Sequence, residues 1–420
     1  MASGTDRISA LPDEALHLVL SFLPAHEVVS TALLARRWRH LWKSAPALRV
    51  TGVKDCDNPG WFIQYVDSLL LFRHSGALLD SFNLDLDECD FGFKPFLPTY
   101  NMNVNLWFRL ALFCQARVLS LRTTHGIYKY EDNRPLQLPS VPIISQHLKR
   151  LDLELVCLKG STLDFSGCPA LVDLKMKTCE ILGDLKSPFL KQLSISGCYF
   201  AYGSSRTRIY LPGLVSLVLS DFGRRTPLLN NMPLLVSAIV RVTDRCVDDC
   251  PKSSYGDCED PTCFGCHNSY EGADDGRGES ILLKGLSQVM ELELSVDSKV
   301  FIVNRDLKLH PTFCKLKMLL LSEWCPGVSA SLNVLTCFLQ YSPILEKLTL
   351  QLSKVPKDRV ETERTCEPSE KSFACGHLKI VEIKCEEVDG RVHKVLDILC
   401  TYGIPLEKVN IQQTNRASGP

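Results

Sequence analysis

The sequence predicts an α/β protein. A small cluster of three short helices comes first, and a long array of parallel strands, with helices and loops returning between them, follows. Three observations predict this. Apolar residues recur at helical spacing across residues 13–42. The template L-x-x-L-x-L then recurs through most of the remaining chain. Finally, 45% hydrophobic and 23% charged residues in a chain of 420 describe a folded protein with several domains or one elongated repeat array.

Composition narrows the function. Lys+Arg 47 against Asp+Glu 48 leaves a net charge of -1. General nucleic-acid binding needs a basic surface to neutralise phosphates, and no such excess exists. The same balance gives no support to a polybasic membrane anchor. No apolar run approaches the roughly 18 residues of a bilayer span. Met1 to Asp6 are small and polar, with no apolar signal core. The 19 cysteines therefore read as reduced thiols rather than a disulfide framework. Cytosol or nucleus is the expected location.

In the N-terminal segment, Leu16, Val19, Leu20 and Leu23 stand at i, i+3, i+4 and i+7 and form one apolar stripe on a helix. Pro12 suits the first turn, where its missing N–H costs nothing. Asp13 and Glu14 suit the positive end of the helix dipole. Pro24 is expected to stop this helix. A second short helix runs through Val29, Ala32 and Leu33, and a third is marked by Trp38, Leu41 and Trp42. Three helices of this size have little core of their own, so their leucines and tryptophans are expected to share burial with something else. "RRWRH" is basic, but residues 1–50 carry six Lys/Arg against four Asp/Glu, too small an excess for a DNA-binding module.

The run "DRISALPDEALHLVLSFLPAHEVVSTALLARRWRHLW" closely resembles the F-box, the adaptor-binding module of cullin-based ubiquitin ligases. The resemblance lies in the Leu11–Pro12 pair, "LSFLP", the Val28–Val29 region and "RRWRHLW". It implies an F-box over residues 6–49 that docks on a Skp-family adaptor and, through it, a cullin. Leu11, Pro12, Leu16, Leu20, Leu23, Leu33, Leu34, Trp38, Leu41 and Trp42 occupy the matching positions. Some of these ten must form the module's own core, and the pattern alone does not separate core from contact.

Residues 50–376 carry most of the repeats. The template appears at Leu148/Leu151/Leu153, Leu171/Leu174/Met176, Leu190/Leu193/Ile195, Leu214/Leu217/Leu219 and, more weakly, Leu235/Ala238/Val240. It returns at Val289/Leu292/Leu294, Leu316/Leu319/Leu321, Leu345/Leu348/Leu350, Leu378/Val381/Ile383 and Leu406/Val409/Ile411. Earlier strands are expected at "FNLDLD" and "RVLSLRT". The physical reading is an irregular leucine-rich-repeat solenoid, with parallel strands on the concave face and helices and loops on the convex face. The template leucines enter a shared core, and "NLWFRLALFC" is a return helix with Trp107, Leu110, Ala111 and Cys114 on one face. Between the two apolar positions of each strand one residue faces outward. Asp152, Lys175, Ser194, Glu293, Thr349 and Glu382, with Val218 and Leu320, hold these positions and are candidates for binding a target protein.

An acidic, cysteine-rich insertion interrupts the array at 242–280. Cys246, Cys250, Cys258, Cys263 and Cys266 fall within it. Tetrahedral zinc wants four thiolate or imidazole ligands from paired short spacings. "CFGC" supplies one such pair, so Cys250, Cys258, Cys263 and Cys266 are candidate ligands of a structural zinc; an insertion loop without metal is the simpler expectation. Residues 377–415 read as strand, helix, strand, with Val392, Val395, Leu396 and Leu399 on one helix face between Gly390 and Gly403. This segment resembles the FBD segment of plant-type F-box/leucine-rich-repeat proteins, as does "LSEWCPGVSASLNVLTCFLQYSPILEKLTL" before it.

No P-loop, G-x-G-x-x-G after a strand, H-E-x-x-H or G-x-S-x-G occurs, so no catalytic residue is assigned. The expected function is that of a non-catalytic, substrate-recognition subunit of a Skp–cullin–F-box ubiquitin ligase, without a cofactor. The alternatives are an F-box scaffold outside a ligase, or a receptor holding a small molecule in the solenoid.

Overall fold

A computed structural model describes residues 8, 10–51, 59–74, 76–86, 98–123, 136–138, 142–201, 206–230, 232–248, 280–296, 301–307, 309–324, 329–352 and 377–413. The chain divides into two compact units. The first is Met1–Leu182 with Lys186–Leu190, and the second is Gly183–Leu185 with Lys191–Pro420.

Unit 1 opens with α1 (Asp13–Leu20) and α2 (Ala25–Ser30), followed by three 3-10 turns at Thr31–Leu33, Arg36–Arg39 and Leu41–Ser44. The expected third α-helix is thus a pair of 3-10 turns, broken at His40 (φ -117, ψ -10) and set off from the turn before it by the extended Ala35 (φ -158, ψ 160). Pro12 is the residue before α1 rather than its first turn. Pro24 does not stop α1, which ends at Leu20; it is the residue before α2, as Pro12 is before α1.

The chain then forms β1 (Ala47–Val50), α3 (Pro59–Leu71), β2 (Ser81–Asp85), α4 (Pro98–Phe113), β3 (Val118–Arg122), β4 (Arg150–Glu154) and β5 (Asp173–Lys177). All five strands pair in parallel and in register. Side chains alternate between faces along a strand, so the template residues all turn to one side. Leu48, Phe82, Leu119, Leu151 and Leu174 make one buried row, and Val50, Leu84, Leu121, Leu153 and Met176 the next. "FNLDLD" and "RVLSLRT" are β2 and β3, as expected. Helix α4 buries Val104, Trp107, Phe108 and Ala111, while Leu110 and Cys114 are half-buried. The Trp107 ring meets Phe62 of α3 edge-on at 6.1 Å, and its indole N–H donates to Asp67 at 2.6 Å.

Unit 2 repeats the plan with β6 (Gln192–Ser196), β7 (Ser216–Ser220), β8 (Ser237–Val242), β9 (Glu291–Val296), α5 (Phe301–Leu307), β10 (Met318–Trp324), α6 (Ser329–Tyr341), β11 (Lys347–Leu352), β12 (Ile380–Cys385), α7 (Gly390–Thr401) and β13 (Val409–Gln413). Its eight strands are also parallel neighbours in sequence order.

The spacing of the templates decides what returns between strands. From Leu148 to Leu235 they stand 23, 19, 24 and 21 residues apart. There the returns are very short strands, such as Val156–Leu158, Thr162–Asp164, Arg208–Tyr210 and Leu228–Asn230, not helices. From Val289 to Leu316 and on to Leu345 the spacings are 27 and 29, and from Leu378 to Leu406 it is 28. A helix with its two turns needs that extra length, and α5, α6 and α7 occupy these returns. Two short returns begin with Cys179 and Cys198, each three residues after the last template position and buried. The Cys179 thiol donates to the Leu153 carbonyl at 3.4 Å, and the Cys198 thiol donates to that of Ser196 at 3.5 Å. They occupy the Asn/Cys position of the repeat, which extends the template to L-x-x-L-x-L-x-x-C.

Helix α7 carries both end signals in full. The Asp389 carboxylate accepts from the Arg391 N–H at 2.9 Å. At the other end Gly403 takes φ +72, Gly403 N–H donates to Cys400 O and Ile404 N–H to Leu399 O. These are the two bonds of the Schellman motif, and Leu399 and Ile404 are buried beside them. The last template departs from its expectation. Leu406, Val409 and Ile411 do not enter the core, because β13 is the edge strand of the sheet and no further strand covers them among the described residues.

Candidate functional site

The N-terminal module has a small interior and a large apolar exterior. Leu16, Leu20, Val28, Trp38, Leu41 and Ala45 form its core, with Leu23, Ala35 and Trp42 packed against it. The Thr31 hydroxyl donates to the Val28 carbonyl at 2.6 Å, securing the end of α2. Ser44 and His17 meet at 3.2 Å, and Arg37 pairs with Asp13, so α1 is held to the 3-10 turns at both ends. The module is also anchored to the rest of unit 1. The buried Arg73 guanidinium donates to the Ala45 carbonyl at 2.9 Å, and the His74 N–H to that of Lys43 at 3.0 Å.

This geometry sorts the ten sequence candidates. Leu16, Leu20, Trp38 and Leu41 are interior, and Leu23 and Trp42 lie half-buried against them. Leu11, Pro12, Leu33 and Leu34 face outward, the last two 89% and 71% exposed. Sequence reasoning missed Ile8, Leu18 and Phe22, which are also exposed. Val19, on the expected stripe, is 49% exposed. The signal was present in Leu18 and Phe22, which stand at i and i+4 off the core stripe. Exposed apolar side chains in this density on so small a module are the kind of surface that protein interfaces use.

A second candidate surface is the outward row of the strands. In unit 1, registered pairing places Asn83, Ser120, Asp152 and Lys175 side by side. In unit 2, it does the same for Ser194, Val218, Ile239, Glu293, Leu320, Thr349 and Glu382. All six named target candidates lie on these two rows. One differs from expectation: Thr349 is only 7% exposed, because its neighbours on β10 and β12 close over it and its hydroxyl donates to Glu382 at 3.3 Å. Glu382 also takes the Lys347 ammonium at 2.8 Å, which holds its carboxyl below the usual range.

Unit 1 pairs several of its own outward charges. Asp85, Arg122, Glu154 and Lys177 face one another in register with alternating sign. Arg122 lies 3.7 Å from Asp85 and 3.6 Å from Glu154, and Lys177 lies 2.9 Å from Glu154. Asp152 is held by the Arg150 guanidinium at 2.9 Å. Cross-strand pairs of this kind steady the sheet modestly and leave little net field for a ligand.

The four candidate zinc ligands, Cys250, Cys258, Cys263 and Cys266, lie outside the described residues. Among the described residues no group of three His, Cys, Asp or Glu could hold a metal ion. Cys246 is described, and it is half-buried against Thr226 at 3.3 Å and Asp248 at 3.4 Å. Burial, then the Asp248 charge, pushes its thiol up to about 12. No helix among the described residues is long and apolar enough to cross a membrane.

The F-box domain family matches residues 8–49, the segment that carries the exposed leucines. The chain is 28% identical over 414 residues to the meiotic F-box protein MOF of Oryza sativa subsp. japonica, covering 90% of this chain and 80% of that protein. It is 29% identical over 275 residues to an F-box/FBD/LRR-repeat protein of Arabidopsis thaliana, covering 58% of this chain and 61% of that one. The matched F-box domain and these relatives together support a plant-type F-box/leucine-rich-repeat protein with a C-terminal FBD segment. An FBD-associated F-box protein of Arabidopsis thaliana is 33% identical over 194 residues, 46% of this chain and 41% of that one. The F-box protein thus spans 80% of the rice relative's length but less than two thirds of either Arabidopsis relative's. F-box proteins generally act in Skp–cullin–F-box ubiquitin ligases, with the F-box on a Skp-type adaptor, and F-box/FBD/LRR proteins are typically substrate adaptors rather than catalysts.

Proposed function

We propose that this F-box protein is the target-recognition subunit of a Skp–cullin–F-box ubiquitin ligase, and that it performs no chemistry itself. The carrying observation is the exposed apolar side chains of the N-terminal module, above all Leu33 and Leu34, with Leu11 and Pro12 also outward. The buried candidates Leu16, Leu20, Trp38 and Leu41 then act by holding that surface in shape. In this reading the F-box spans 6–49, the repeats 50–376 and the FBD-like segment 377–415. The outward strand rows, including Asp152, Lys175, Ser194, Glu293 and Glu382 but not the buried Thr349, receive a target protein. Tethering raises the target's effective concentration at the ligase's ubiquitin carrier, which is the whole catalytic contribution required of such a subunit. The protein acts in cytosol or nucleus.

Binding of the purified full chain to a recombinant Skp-family adaptor tests this. Leu33→Ala with Leu34→Ala removes two exposed side chains and is expected to weaken binding by about 2 kcal/mol or more, roughly thirtyfold in Kd, with thermal stability unchanged. Leu11→Ala with Pro12→Ala is expected to act the same way. Wild-type affinity in both double variants would sink the assignment. Co-purification of a cullin separates a ligase subunit from an adaptor-bound scaffold. The proposed function needs no cofactor, and metal analysis is expected to find well under one zinc per chain. A full equivalent would assign zinc to Cys250, Cys258, Cys263 and Cys266.

A further inference from the structure

Beside Leu33–Leu34 the apolar surface has a basic edge. From Val28 to Lys54 the sequence holds no Asp or Glu, while it holds Arg36, Arg37, Arg39, Lys43 and Arg49. The 3-10 turns place Arg36 and Arg39 immediately after the exposed pair Leu33–Leu34, and both side chains stand in solvent. Glu14 of α1 is exposed and makes no ion pair with either arginine among the described residues. Asp13 is engaged by Arg37, and Glu27 lies near His26 at 3.9 Å. Arg36 and Arg39 make no ion pair or hydrogen bond among the described residues. On or next to the strands of unit 1 several outward arginines are matched: Arg117 by Asp80, Arg122 by Asp85 and Glu154, Arg150 by Asp152 and Asp173. Arg36 and Arg39 thus stand unmatched beside the exposed Leu33–Leu34 pair.

An apolar centre with a charged rim is the anatomy of a protein interface, and rim charges act mainly on the rate of encounter and on partner choice. We propose that Arg36 and Arg39 form a basic rim that steers the F-box onto an acidic surface of the Skp-family adaptor beside the Leu33–Leu34 contact. This rests on the adaptor-docking reading above and adds to it the sign of the partner's charge and the kinetic step it controls. The desolvated leucines hold the complex together, and the solvated arginines speed its formation. Long-range attraction between exposed charges is screened beyond about 8–10 Å at ordinary ionic strength, so the steering must fade with salt.

Association and dissociation rates of the full chain with a recombinant Skp-family adaptor, measured at about 20 and about 500 mM salt, test this. The variants are Arg36→Glu with Arg39→Glu, the milder Arg36→Gln with Arg39→Gln, and Leu33→Ala with Leu34→Ala, each checked for an unchanged melting temperature. Wild-type association is expected to slow with salt. The Glu pair is expected to slow association about tenfold or more at low salt, to flatten or invert the salt dependence, and to leave dissociation nearly unchanged. The Gln pair falls between. The leucine pair speeds dissociation and keeps the wild-type salt dependence of association. Unchanged or faster association in the Glu and Gln variants, while the leucine pair still weakens binding, overturns the basic rim and leaves the docking reading standing. Wild-type binding in the leucine pair itself removes the docking reading, and the rim with it.

Discussion

Asp248 shows how much one side chain can carry. It is buried, and it accepts two hydrogen bonds from the Arg206 guanidinium at 2.9 and 2.7 Å and one from the Thr226 N–H at 2.7 Å. The Arg225 guanidinium stands 3.6 Å away. Burial opposes its ionisation, but the Arg206 charge and these hydrogen bonds outweigh that and hold its carboxyl below the usual carboxylate range. Removing one partner of a buried pair strands the others. Asp248→Ala is therefore expected to cost about 3–5 kcal/mol, read as a lowered urea midpoint of the unit 2 transition. The depressed value also sets a pH window. Its stabilisation is complete above the ordinary carboxylate value of about 4 and is lost as pH falls through the lower folded value. Acid titration of wild type should show this loss, and Asp248→Ala should show less of it. Asp306 anchors the chain in the same manner, accepting from the Ile281, Leu282 and Leu283 N–H groups and the Ser280 hydroxyl. Neither role shows in the sequence, because Arg206 and Asp248 are 42 residues apart and only the fold brings them together.

At the scale of elements, the repeat template earns its burial from neighbours on both sides. Leu294 on β9 lies between β8 and β10 and is buried, whereas Ile411 on β13 sits at the sheet edge and is half-exposed. Leu294→Ala leaves a cavity and is expected to cost roughly 2–5 kcal/mol, while Ile411→Ala should stay within about 0.5 kcal/mol. Chemical denaturation of both variants checks this, and equal losses would contradict the edge position of β13. Gly403 is a smaller case. Its φ of +72 closes α7, with open space around the missing Cβ, so Gly403→Ala pays only backbone strain, about 1 kcal/mol. In the N-terminal module the helical stripe was legible and its ends were not. Pro24 precedes a helix rather than ending one, since a proline after a turn is as good an opening as a stop.

At the scale of the molecule, the two compact units can be followed by different probes. Trp38, Trp42, Trp61 and Trp107 lie in unit 1, and Trp324 alone of the five tryptophans lies in unit 2. Repeat arrays gain stability from nearest neighbours and readily lose all-or-none unfolding. Asp248→Ala, in unit 2, is therefore expected to lower the denaturation midpoint seen by far-UV circular dichroism more than that seen by tryptophan fluorescence. Equal shifts in the two signals would show that the units unfold as a single block.

The sequence by itself determined where the strands run and that an F-box leads them. The alternation within L-x-x-L-x-L is local, since side chains on a strand must take opposite faces whatever packs on them. The strand–helix–strand of residues 377–415 was legible for the same reason, with Gly390 and Gly403 at the helix ends. Tertiary structure alone decided which apolar residues are surface. Leu16 and Leu33 are equally hydrophobic, yet one fills the module's interior and the other stands in water, because a core built from six buried residues cannot cover all that its helices carry. It also decided that Arg122 is matched and that Arg36 is not, since a charge's partner is set by which strands and turns come to lie beside it.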